Sequence, residues 1–106
     1  MKMKTSNFRN SWSDPNAVAI CVSPPRDWNG PCYFPLAPRY EMIKLPPEEY
    51  VPLYEEILSK LDPEDVWKEL GSDAVLLCYE APGKFCHRRL AAEWLERELD
   101  VEIPEA

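Results

Sequence analysis

Between Pro24 and Pro47 the chain carries seven of its twelve prolines. Each proline lacks a backbone N–H and holds φ near −65°, so "PPRDWNGPCYFPLAPRY" and its continuation to "LPP" exclude a helix interior and a central strand. Of 106 residues, 24 are thereby committed to irregular structure. A loop longer than about 12 to 15 residues in a compact domain is usually either functional or disordered. Trp28, Tyr33, Phe34, Leu36 and Tyr40 give this one apolar anchors, so an ordered, functional surface loop is the expectation.

Regular structure must therefore lie on either side. "AVAICVS", Ala17–Ser23, and "AVLLCYE", Ala74–Glu80, are short continuous apolar runs, the profile of strands buried on both faces. "KMKTSNF" near the start reads as an edge strand. Leu53, Ile57, Leu58 and Leu61 recur at helical spacing and place a helix over Glu48–Leu61, with Pro52 tolerated only in its first turn or at a kink. Asp62 as N-cap, Pro63 at the first position, acids in the first turn and Gly71 past the end place a second helix over Pro63–Leu70. After a turn at "APGK", Ala81–Lys84, a helix runs from Phe85 or Cys86 to Leu99. Arg89 and Arg97 flank Glu93 on its outer side at the spacing of helical charge pairs. The tail "VEIPEA" offers a last short strand. Strands alternating with helices imply a single α/β domain, with a small, mainly parallel sheet of three to four strands flanked by helices.

Composition narrows the class of function. With 45% hydrophobic residues, four Trp, five Tyr and three Phe, the chain can bury a core. No apolar run approaches the length of a membrane span. The N-terminal "MKMKTSNFRN" is basic but has no apolar segment after it, so it does not read as a signal peptide and a cytoplasmic location is expected. In that compartment Cys21, Cys32, Cys78 and Cys86 are expected as reduced thiols, and their spacing contains no C-x-x-C. The net charge of −7 argues against nucleic acid as a partner. That charge is uneven, +3 over residues 1–40 and −10 over 41–106, yet Lys84, Arg88 and Arg89 cluster in the second part.

They cluster at one turn. In open α/β sheets ligands sit beyond the carboxyl ends of the strands, which selects "SPPRDWNG" after the first buried strand and "EAPGKF" after the second. With those strands as neighbours, Arg26 and Trp28 face Glu80, Lys84, Cys86, His87 and Arg88 across a composite pocket. A helix starting near Cys86 offers free N–H groups and the positive end of its dipole to an anion. A thiol there, beside Lys84, His87 and Arg88, is biased toward thiolate, and Arg88 has the fork to clamp a phosphate or carboxylate. Cys78, Glu80, Cys86 and His87 are thus the candidate catalytic residues, and Arg88, Lys84, Arg26 and Trp28 the candidate ligand-binding ones.

Each has a plainer reading. His87 shares a helical face with Leu90, Ala91 and Trp94 and packs or caps as readily as it moves protons. Cys78 lies within a strand, where free cysteines are usually buried and structural. Cys21 reads as inert and Cys32 as a loop thiol. Arg89 reads as solvated beside Glu93, Trp28 as a loop anchor, and Glu80 as an ion-pair partner of Lys84. A Cys-x5-Arg phosphate cradle counted from Cys78 meets Lys84, with Glu80 and Pro82 inside the loop, and that match fails. Adjacent Cys86 and His87 would diverge by about 100° on a helix, so no metal is expected, and no cofactor.

"LLCYEAPGKFCHRRLAAEWL" resembles the signature of the prokaryotic family catalogued as domain of unknown function 488, in which a strand ends in Leu-Leu-Cys-aromatic-Glu and Cys-His-Arg opens a helix. The likeness extends to "VAICVSPPRDWNG", to "LAP" at Leu36–Pro38 and to "KTSNF". It implies functional weight on Cys78, Glu80, Cys86, His87 and Arg88, and it supplies no activity. The expected function is binding, with or without chemical modification, of a small anionic ligand such as a nucleotide or phosphate. The alternative is a protein-interaction module that uses the Pro and aromatic-rich loop, with the Cys-His-Arg turn as a structural lock.

Overall fold

A computed structural model describes residues 2–80 and 84–106. Strands β1 (Lys4–Asn7), β2 (Ala17–Ala19) and β3 (Val75–Cys78) form a parallel sheet in the order β1-β3-β2. Lys4 and Ala17 both pair with Val75. All four residues of β3 are buried, as its unbroken apolar run requires of a central strand.

Both strands flanking β3 would expose an edge, and neither does. Beside β2 the proline-rich loop returns so that Ala19 N donates to Pro31 O (2.9 Å) and Tyr33 N to Ala19 O (2.8 Å). Beside β1 the tail lies so that Thr5 N donates to Pro104 O (2.9 Å) and Ala106 N to Thr5 O (2.7 Å). Covering edges in this way removes a template for pairing with another chain. The strand expected in "VEIPEA" is a single bridge, between Glu105 and Thr5. The strand expected over Ala17–Ser23 stops at Ala19, where the loop takes over the outer edge and Ile20 N still reaches Leu77 O (3.0 Å).

A single turn of helix, α1 (Phe8–Ser11), follows β1 and was not legible beforehand. Asn7 caps it through Oδ1 to Asn10 N (2.8 Å). Helix α2 spans Pro47–Ser59 and carries Pro52 inside it rather than in its first turn. Pro52 and Glu48 are both exposed, so the carbonyl left without an N–H partner faces water. Helix α3 is Pro63–Leu70, with Asp62 Oδ1 accepting from Glu64 N (2.9 Å) and Gly71 at φ 89° closing it. Helix α4 is His87–Leu99. The turn expected at Ala81–Lys84 lies outside the described residues except for Lys84.

Val18 and Leu76 turn to one face of the sheet, where Tyr54 and Leu58 of α2, Val66 of α3 and Ala91 and Leu95 of α4 pack with Leu36 and Met42 of the loop. Ala17, Ala19, Val75 and Leu77 turn to the other, which Phe8 and Trp28 cover. The loop is ordered by two 3-10 turns, Phe34–Leu36 and Tyr40–Met42. Leu36 anchors it, fully buried, and Tyr54 donates its hydroxyl to the Leu36 carbonyl (2.5 Å). Phe34 and Tyr40 do not anchor it: they stand 58% and 74% exposed. No helix among the described residues is long and apolar enough to cross a membrane.

Candidate functional site

Cys78 is the last residue of β3, and Cys86 is the N-cap of α4. At φ −155° and ψ 143° the Cys86 backbone is still extended, so its side chain points back at the strand end instead of around the helix. The two cysteines are joined as a disulfide. The expectation of four reduced thiols is corrected for this pair, which the chain's return from β3 to α4 brings together without any C-x-x-C; Cys21 and Cys32 are free.

His87 occupies the first turn of α4, buried against the Tyr54 ring at 5.5 Å. Its Nε2 lies 2.7 Å from the Ile20 carbonyl oxygen. A carbonyl only accepts, so Nε2 carries the proton and donates it, leaving the Nδ1 lone pair 3.8 Å from Cys86 Sγ. Burial, with Arg88 adding to it against the opposing Ile20 contact, depresses the imidazole pKa to about 4, so the ring is neutral.

Arg88 does not extend a fork to solvent. It is fully buried, with Nε and Nη2 on the two oxygens of Glu105 at 3.1 and 2.7 Å and Nη1 3.0 Å from Cys78 Sγ. The anion it clamps is this chain's own tail. The Arg88 hydrogen bond in turn holds the Glu105 carboxyl below its ordinary range, with Thr5 also donating to it. Arg89, expected in solvent beside Glu93, instead donates from Nη1 to Thr5 Oγ1 (2.9 Å) and Ile103 O (2.8 Å), because the tail crosses over that side of α4.

A cavity of about 220 Å³ opens above the disulfide. Cys21, Cys78, Cys86 and His87 line it, together with Val22, Pro38, Ile43, Leu45, Tyr50, Tyr79 and Phe85, and Ser23 and Glu80 supply its other polar groups. Phe85 meets the Tyr50 ring edge to face at 5.1 Å. Burial pushes the Cys21 thiol up to about 11, which keeps it protonated and inert. Glu80 is exposed, with its carboxylate oxygen 3.6 Å from Cys78 Sγ and its carbonyl accepting from Asn7 Nδ2 (3.2 Å).

All four candidate catalytic residues, Cys78, Glu80, Cys86 and His87, thus meet at one cavity, and none of the candidate ligand-binding residues lines it. Arg88 lies behind the sulfur of Cys78. Arg26 and Lys84 are exposed elsewhere. Trp28 is a loop anchor, packed at 5.3 Å from both Phe8 and Trp12, with Nε1 donating to Pro31 O (3.2 Å). Trp28 packs on the cluster that contains Cys78 and Cys86, but its ring lies against Phe8 and Trp12, and it is the later loop residues Pro38, Ile43 and Leu45 that line the cavity.

The sequence reading missed the walls. Tyr50 heads the stripe Tyr50, Tyr54, Leu58 at i, i+4, i+8 along α2, a signal that was available; Ile43, Leu45 and Phe85 sit in irregular segments that carry none. Glu105, the partner of Arg88, is 17 residues away in the tail. The sulfurs of Cys78 and Cys86 and a nitrogen of His87 lie within 4.8 Å of one another, a set able to hold a metal ion. The divergence expected for Cys86 and His87 assumed that both were helical, and the extended backbone at Cys86 removes it. No protein-family model matches the chain, and neither a curated protein nor a solved structure does.

Proposed function

We propose that the protein binds a small anionic ligand with an apolar or heteroaromatic body, a nucleotide-like shape, in this cavity and acts on it through the Cys78–Cys86 pair. The observation that carries the reading is the floor of the cavity: a cysteine pair with a buried guanidinium 3.0 Å behind one sulfur. Such a cation favours thiolate over thiol. Cys78 is accordingly the nucleophile: its thiolate attacks an electrophilic atom of the ligand, Cys86 then attacks Cys78, and the ligand leaves reduced by two electrons as the disulfide closes. A dithiol donor resets the pair. Cys86 gives up its proton to water at the cavity mouth, because His87, held at about 4 by burial, is too weak a base to take it.

The anionic end belongs at the start of α4, where the first-turn N–H groups form the positive end of the helix dipole. No Lys or Arg among the described residues lines the walls, so affinity comes mainly from contact of the ligand's body with Tyr50, Phe85 and Ile43. Glu80 requires the acidic group to sit on the side away from it. A cytoplasmic location and the likeness to domain of unknown function 488 belong to the same proposal. In a reducing compartment a disulfide is usually transient, catalytic or redox-sensing.

One observation favours a second reading. Three consecutive buried side chains tie α4 to three different segments: Cys86 to β3, His87 to Ile20 beyond β2, and Arg88 to the tail. In that reading the turn is a structural lock, and exposed Phe34, Tyr40 and Ile43 form a surface for a protein partner.

Alkylation of the reduced native protein across pH, with mass mapping and with a panel of nucleotides and inorganic phosphate, separates the two. The proposal predicts that Cys78 reacts with a midpoint more than one unit below the ordinary thiol value of about 8.5 and that a panel member protects it. Reaction of Cys78 and Cys86 only after denaturation would leave the lock.

A further inference from the structure

We propose that the reduced protein holds one zinc ion on Cys78 Sγ, Cys86 Sγ and His87 Nδ1, so that disulfide and metal site are alternative states of the same three side chains. The inference shares with the proposed function the opening of the disulfide, and it is independent of which ligand the cavity takes.

Donor type comes first. Two thiolates and an imidazole are a zinc set, and zinc binds them at about 2.3 and 2.1 Å in tetrahedral geometry, which separates the donor atoms by about 3.6 to 3.8 Å. Cys86 Sγ and His87 Nδ1 are 3.8 Å apart, and all three donors fall within 4.8 Å. The cluster is buried at every member, so the ion would be shielded from competing water.

Orientation comes next. A histidine that ligates zinc usually donates its other ring N–H to a carbonyl or carboxylate, which selects the tautomer and fixes the ring. His87 already does this through Nε2 to the Ile20 carbonyl, 2.7 Å away. Arg88 Nη1, 3.0 Å from Cys78 Sγ, supplies the corresponding second contact for a thiolate. The outer hydrogen bonds that a zinc centre needs are in place. The fourth position faces the cavity, with a Glu80 carboxylate oxygen 3.6 Å from Cys78 Sγ at its edge. Three protein ligands and one position open to a cavity is the arrangement of a site that activates water or receives a ligand.

The chemistry balances. A dithiol reductant gives two electrons and two protons: its own S–S bond forms, the Cys78–Cys86 bond breaks, and each sulfur takes one proton. Zn²⁺ then displaces both protons to water. Two thiolates, a neutral imidazole and Zn²⁺ sum to zero charge, which limits the cost of burial.

The test uses the full-length chain, reduced and held without oxygen, with Co²⁺ as an optical probe for the zinc site, and counts thiols in parallel. The expected result is four thiols per chain and one equivalent of Co²⁺ bound, with a thiolate-to-cobalt charge-transfer band and tetrahedral visible bands. Zn²⁺ displaces that signal. The Cys21→Ser, Cys32→Ser double variant keeps it, and His87→Gln, whose amide can still donate to Ile20, weakens binding at least tenfold. Oxidised wild-type protein, which has the same fold and side chains, gives no band. Four thiols without a band overturn the zinc site and leave the thiol chemistry standing. A band lost in the Cys21, Cys32 variant, or retained in the oxidised protein, overturns it by placing the ion elsewhere, and a count of two thiols after reduction overturns both readings.

Discussion

Arg88 and His87 show how a residue's setting decides its role. Arg88 is a fully buried cation whose charge is balanced by the carboxylate of Glu105, the residue that bridges to β1. Removing one partner of such a pair leaves an uncompensated charge in a poor solvent. Glu105→Gln is therefore expected to destabilise the fold by about 3 kcal/mol, the lower end for buried pairs because Glu105 is partly exposed; urea denaturation at pH 7 checks this. His87 makes a prediction in pH. With a folded pKa of about 4 against an ordinary 6.5, the unfolded chain binds the extra proton first as pH falls. The stability that His87 contributes is complete above pH 6.5 and is lost as the pH drops toward 4, by about 2 kcal/mol between pH 7 and pH 5. Urea curves at those two pH values measure it, and His87→Gln should remove most of the difference. Glu105 adds its own loss below that window, since its carboxyl is held down.

At the scale of elements, what could be read beforehand was what is decided locally. Helix α3 starts and stops where Asp62, Pro63 and Gly71 said it should, because caps are written within a few residues of the end they close. The strands are shorter than their apolar runs, since a strand ends where its neighbour stops offering backbone groups, and that depends on remote segments such as Pro31 and Pro104. The same limit hid the cavity walls and the Arg88 partner, while the cysteines, His87 and Glu80 were found because they lie on one turn. Within the proline-rich loop, Gly30 is what lets Trp28 act as an anchor. A Cβ there would stand 2.4 Å from the Trp28 ring, so only glycine lets the indole lie over the backbone. Gly30→Ala should cost about 1 kcal/mol through overpacking and shift the tryptophan fluorescence. Because Trp28 does not line the cavity, thiol reactivity at Cys78 should not change.

Over the whole molecule, charge runs the opposite way from the sequence reading. The basic residues clustered near the turn looked like a cradle for an external anion, yet Arg88 spends its charge on Glu105 and Arg89 on Thr5 and the Ile103 carbonyl. A list of charges cannot tell a cation turned inward from one turned outward; the tail that turns them inward arrives from the far end of the chain. What the fold leaves open beside them is a small, mainly apolar cavity with sulfur at its floor. That floor is the central claim, and an equilibrium redox titration of the native protein against a dithiol buffer, with mass mapping of Cys78 and Cys86 and circular dichroism at each point, tests it most directly. With Arg88 Nη1 placed to donate to a thiolate at Cys78, the proposed chemistry predicts that the pair cycles reversibly with a midpoint above about −300 mV while the secondary structure stays constant. A pair that resists reduction to well below that value, or whose opening unfolds the chain, would contradict the account and leave the Cys78–Cys86 bond as a structural clasp.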